Sequence, residues 1–97
     1  MTGPKSRTLP IMTPRRIEIL RLAANGNTNA AIAQHLFISQ NTVIDHMRDV
    51  FAVLGARDRA HAVALGLVRG FIRPSDVDWR GALADAAARA EEKELAA

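Results

Sequence analysis

Between Thr28 and Gly55 two short amphipathic segments follow one another with only Phe37-Ile38-Ser39 between them, and this spacing constrains the fold more than any other feature of the chain. The first segment, from about Asn29 to Leu36, turns Ile32, Ala33 and Leu36 to one side. The second repeats Val43, Met47, Val50 and Leu54 at intervals of four, three and four, which is one stripe of an α-helix. Ser39 is a good N-cap for it and Gly55 a good stop. Two short helices joined by a tight turn predict a helix-turn-helix.

The flanks continue the helical pattern. A first helix starts at Thr13-Pro14, with Thr13 as N-cap and Pro14 at the first helical position. Its inner stripe is expected on Ile17, Leu20 and Ala24, widened by Ile19 and Leu22, and Gly26 ends it. Thr28 or Asn29 then caps the second helix. A fourth starts near Asp58 or Arg59, and its Ala60, Ala62, Val63, Ala64, Leu65, Leu67 and Val68 occupy more of the circumference than one core can use, which implies a second partner. Gly70 closes it, and Phe71, Ile72 and Pro74 pack or turn beyond. From Trp79 to Ala97 the chain is alanine-rich and helix-favouring, with Trp79, Leu83, Ala86 and Ala90 at helical spacing. Apolar residues make up 48% of the chain and aromatics only 4%, so the core is aliphatic and the fold is expected to be all-α.

Charge divides the chain. Residues 1–73 carry ten Lys/Arg against four Asp/Glu, and residues 74–97 carry three against six, so the first part is +6 and the second −3. A basic body points to a polyanionic partner. Residues 1–11, with two prolines and a glycine, read as a flexible arm whose Lys5 and Arg7 are candidates for a minor groove. The absence of cysteine and of any long apolar run leads to the expectation of a cytoplasmic protein with no membrane contact, and His35, His46 and His61, scattered without ligand spacing, to that of no metal and no cofactor. At 97 residues, the expectation is one stand-alone domain with its tails.

Met12-Thr-Pro-Arg15, Ala31-Ile-Ala33, Leu36-Phe-Ile-Ser39, Thr42-Val43, His46 and Leu54-Gly55 together resemble the LuxR/GerE-type helix-turn-helix, over roughly residues 12–73. The resemblance implies a four-helix DNA-binding domain over residues 12–73, and the alanine-rich residues 74–97 are expected to add a C-terminal helix. It also implies that the third helix lies in the major groove and that the fourth pairs two subunits through Ala60, Ala64, Leu67 and Val68. The bases are then expected to meet the outward face of the third helix: Gln40, Asn41, Ile44, Asp45 and Arg48, with Arg48 the best candidate for guanine. Thr28, Asn29 and Thr42 at helix starts, and Arg57 and Arg59 beyond the third helix, are the expected phosphate contacts.

Several residues depart from the family pattern. Arg16 stands where the family has the Glu of a capping box, which forgoes about 0.5 kcal/mol or more. Ala30 and Ala31 replace a Lys-Glu pair, and Ile44 and Val53 each replace a Lys. Fewer cations mean weaker phosphate neutralisation. The expected function is a sequence-specific transcriptional regulator, a homodimer on a pseudo-palindromic duplex site. The alternative is a protein-interaction module with weakened DNA binding, pairing through the fourth helix or the acidic tail. An enzyme is not expected, since Ser39, Asp45 and His46 lie along one short helix and its cap.

Overall fold

A computed structural model describes residues 10–96, which form five α-helices and one short 3-10 turn and no strand: α1 Pro14–Ala24, α2 Asn29–Leu36, α3 Gln40–Leu54, α4 Arg59–Val68, the turn Pro74–Asp76, and α5 Trp79–Ala96. The fold is all-α, as the sequence predicts. Most of the arm expected over residues 1–11, including Lys5 and Arg7, lies outside the described residues.

Each helix begins on a short polar side chain that accepts an otherwise orphaned backbone N–H. Thr13 Oγ1 accepts from Arg16 at 3.2 Å, Thr28 Oγ1 from Ala31 at 3.1 Å and Ser39 Oγ from Thr42 at 3.0 Å. Asp58 accepts from the His61 N–H at 2.8 Å, and Asp78 from Gly81 at 2.9 Å. Thr28, and not Asn29, is therefore the cap of α2, and Asp58 that of α4.

The core has two adjoining parts. Ile19, Ala23, Ile32, Ala33, Val43 and Met47 form one, between α1, α2 and the start of α3. Leu20, Val50, Leu54, Ala62 and Ile72 form the other, between α1, the end of α3 and α4. Because α1 feeds both, its buried line differs from the expected one. Ile19, Leu20 and Ala23 are buried, whereas Ile17 and Ala24 are only partly covered at the edge of the second part. Gly66 lets α4 approach α1: a Cβ there would stand 2.7 Å from Leu20 Cδ2.

Arg16 does not complete a capping box, and its guanidinium is used elsewhere. Nη2 pairs with Asp49 Oδ2 at 2.6 Å and Nη1 donates to the Ile11 carbonyl at 2.7 Å, with the side chain only 18% exposed. The residue that weakens the start of α1 thus ties α1 to α3.

α5 is joined at its base alone. Asn25, at the end of α1, donates from Nδ2 to the Asp76 carbonyl at 2.9 Å and accepts the Asp78 N–H at 2.8 Å. Arg21 lies 3.6 Å from Asp76. Beyond that clamp the apolar positions at helical spacing are uncovered: Trp79 is 56% and Leu83 61% exposed, and Ala86 and Ala90 face solvent. The Arg80 guanidinium lies over the Trp79 ring, 4.7 Å from its centroid. Among the described residues no helix is long and apolar enough to cross a membrane.

Candidate nucleic-acid interface

The stripe that buries Val43, Met47, Val50 and Leu54 fixes the rotation of α3 about its axis. Gln40, Asn41, Ile44, Asp45, Arg48 and Ala52 consequently all lie on the exposed side. Ser39 holds the first turn, its Oγ bonded to the Thr42 N–H and 2.9 Å from Thr42 Oγ1. Thr42 is thus engaged in the cap and half-buried, while Thr28 is an exposed cap one helix earlier.

Arg48 and Asp45 form an ion pair on this face, Nη1 to Oδ1 at 3.0 Å, with side chains 71% and 68% exposed. A pair so open to water is worth little, so the guanidinium can exchange its carboxylate for another acceptor at small cost. The pair also cancels the charge of Arg48 at the centre of the surface. His46 is half-buried beside that face.

Arg57 and Arg59, grouped by their order in the chain, behave differently. Arg57 is exposed, and its N–H donates to His61 Nδ1 at 3.0 Å. Arg59 is half-buried and reaches back to the start of α2, donating to Asn29 Oδ1 at 2.9 Å and to the Asn27 carbonyl. It is a strut that sets the N-terminus of α4 beside that of α2. Beside it runs an open groove of about 300 Å³, lined by Ile44, Met47 and Phe51 and bordered by Asn29, Arg48 and Arg59.

On α4, Ala60, Ala64 and Val68 succeed one another every four residues and face solvent, Val68 at 81% exposure. Leu67, expected with them, is half-buried and packs against the second part of the core.

Capped α2, tight turn and an α3 with one face buried and one free make a helix-turn-helix, and residues 10–65, more than half of the chain, match the GerE family model of bacterial regulatory proteins. The chain belongs to the luxR family of bacterial regulatory proteins. Among its relatives, the transcriptional regulatory protein DegU of Brevibacillus brevis is 31% identical over 67 residues, covering 69% of this chain and 28% of DegU. The quorum sensing-dependent transcriptional regulator VjbR of Brucella abortus is 37% identical over 67 residues, covering 69% of this chain and 26% of VjbR. The probable transcriptional regulatory protein SgaR of Hyphomicrobium methylovorum is 46% identical over 57 residues, 59% of this chain and 27% of SgaR. The chain thus spans about a quarter of the length of the curated relatives it matches. The luxR family is one of regulators and not of enzymes.

Within this luxR-family domain, two features were not legible beforehand. Asn27 enters through its backbone carbonyl, and the groove needs Met47 and Phe51 beside Ile44. No local pattern signals the Asn27 contact, because Arg59 meets Asn27 across 32 residues of chain, and although Ile44, Met47 and Phe51 stand at i, i+3 and i+7 of α3, only the approach of Asn29 and Arg59 makes a groove of them.

Proposed function

We propose that the protein is a sequence-specific DNA-binding transcriptional regulator whose DNA-binding unit is residues 12–73, with 74–97 as a helical extension. The observation that carries this is the free face of α3: Gln40, Asn41, Ile44, Asp45 and Arg48 exposed together on a helix whose opposite side is buried. In the major groove the N-terminal residues of such a helix meet base edges. Arg48 would take guanine O6 and N7, Gln40 or Asn41 adenine, Ile44 a thymine methyl, and Asp45 cytosine N4. Thr28, Asn29, Thr42 and Arg57 would meet the backbone. Arg59 would do so with the donors its strut leaves free.

Ala60, Ala64 and Val68 would form a two-fold seam between copies, with Leu67 at its edge. Two recognition helices related in this way would read a pseudo-palindromic site, their centres about one DNA turn or a multiple of it apart. Such a regulator would act in the cytoplasm, on the nucleoid. A second reading is supported by the Asp45–Arg48 pair, which neutralises the reading face: a module that pairs with another regulator and touches DNA weakly.

Selection of bound duplexes from a random library at two salt concentrations tests the first reading. A symmetric motif is expected, and Arg48→Ala should cost about 1–3 kcal/mol and relax one base position. Absence of salt-dependent duplex binding would reject the proposal in favour of the second.

A further inference from the structure

Four described positions in this chain adopt left-handed backbone with positive φ: Gly26, Gly55, Gly70 and Phe37. Three are glycine, the residue that takes this conformation without steric cost. Phe37 takes it at φ 58° and ψ 44°, as the C-cap of α2, where its Cβ crowds the following carbonyl. The turn imposes the conformation, since the N–H groups of Phe37 and Ile38 both reach the Ala33 carbonyl and Ile38 then packs on the core.

The side chain offers no compensation within the fold. Phe37 is 94% exposed, the most exposed large apolar residue among those described. Backbone preference and solvation therefore both favour a smaller, polar or glycine residue at this position. A residue disfavoured on both counts, held in a strained conformation in full solvent, points to a contact outside the chain. Its place in the fold indicates which one. Ser39, two residues on, caps α3, and Gln40 and Asn41 open that helix. A duplex that receives the first turn of α3 in its major groove carries one strand's backbone across the chain that enters the helix.

Resting on the function proposed above, we infer that Phe37 packs its ring on the deoxyribose of the DNA backbone bordering the N-terminus of α3. The contact is apolar and indifferent to sequence. It adds affinity where the chain has Ile44 and Val53 in place of lysines, and it does so without releasing counterions.

The test compares Phe37→Gly, Phe37→Asn and Phe37→Leu in the full chain, by thermal unfolding and by titration with a selected duplex at two salt concentrations. Glycine and asparagine, both tolerant of left-handed backbone, should raise Tm by about 4 °C or more. They should also weaken duplex binding about fivefold or more, with the salt slope and the preferred sequence unchanged. Leucine should retain most of the affinity without the gain in Tm. Raised Tm with unaltered affinity would overturn the inference while leaving the DNA-binding reading intact. A Tm that falls with glycine and asparagine would also overturn it, because the ring would then serve the fold. Wild-type protein that binds no duplex would reject both readings together.

Discussion

The body formed by α1–α4 and the helix α5 are built on opposite principles. In the body, Ile19, Leu20, Ile32, Val43 and Val50 are wholly excluded from water, and each helix is held by neighbours far away in sequence. In α5 no residue is buried, and the helix rests on its N-cap Asp78, its alanine content and a clamp at its base. The body is stabilised by burial, which is cooperative. α5 relies on helix propensity, without the tertiary packing that gives helices in proteins most of their stability. The proposed reading surface is therefore carried by the rigid part, and the acidic extension can fray without disturbing it.

Substitutions should separate the two regions by size of effect. Ile32→Ala empties a site between α1, α2 and α3 and is expected to cost about 2–5 kcal/mol in denaturant unfolding. A loss below 1 kcal/mol would mean that the first part of the core closes around the gap and is not as well packed as its burial indicates. Asn25→Ala removes two bonds that join the end of α1 to the base of α5, at about 1 kcal/mol in total. Faster proteolysis around residues 74–79 should accompany it. Unchanged cleavage would show that the Arg21–Asp76 pair holds the junction unaided. The smallest effect belongs to Leu83→Ala, expected within about 0.5 kcal/mol because the side chain touches little. A cost several times larger at high protein concentration would reveal α5 docked against a second copy.

Much of this architecture was legible in short stretches of sequence. Thr13, Ser39, Gly26 and Gly55 mark helix ends through bonds and backbone angles within a few residues, and the α3 stripe is a matter of spacing alone. Thr28 and Asn29 were equal candidates until the backbone showed which side chain meets an N–H. The buried line of α1 keeps Leu20 but runs through Ile19 and Ala23 in place of Ile17 and Ala24, because two cores, on two sides, compete for the same helix. The expected apolar spacing of Trp79, Leu83, Ala86 and Ala90 is present in α5, but periodicity states only which residues share a face and not whether anything lies against it.

What the sequence by itself determined is the set of helices, the caps at Thr13 and Ser39 and the family, since each depends on local hydrogen bonds and on periodicity that a linear pattern contains. Tertiary structure decided the uses of the charged residues. Arg16 became a tie to Asp49, Arg59 a strut to Asn29, and Arg48 the partner of Asp45 on the open face, while Arg57 remained exposed. Guanidinium groups on long, flexible stems can reach several acceptors, and apart from a near neighbour such as Asp45, folding alone brings those acceptors within range.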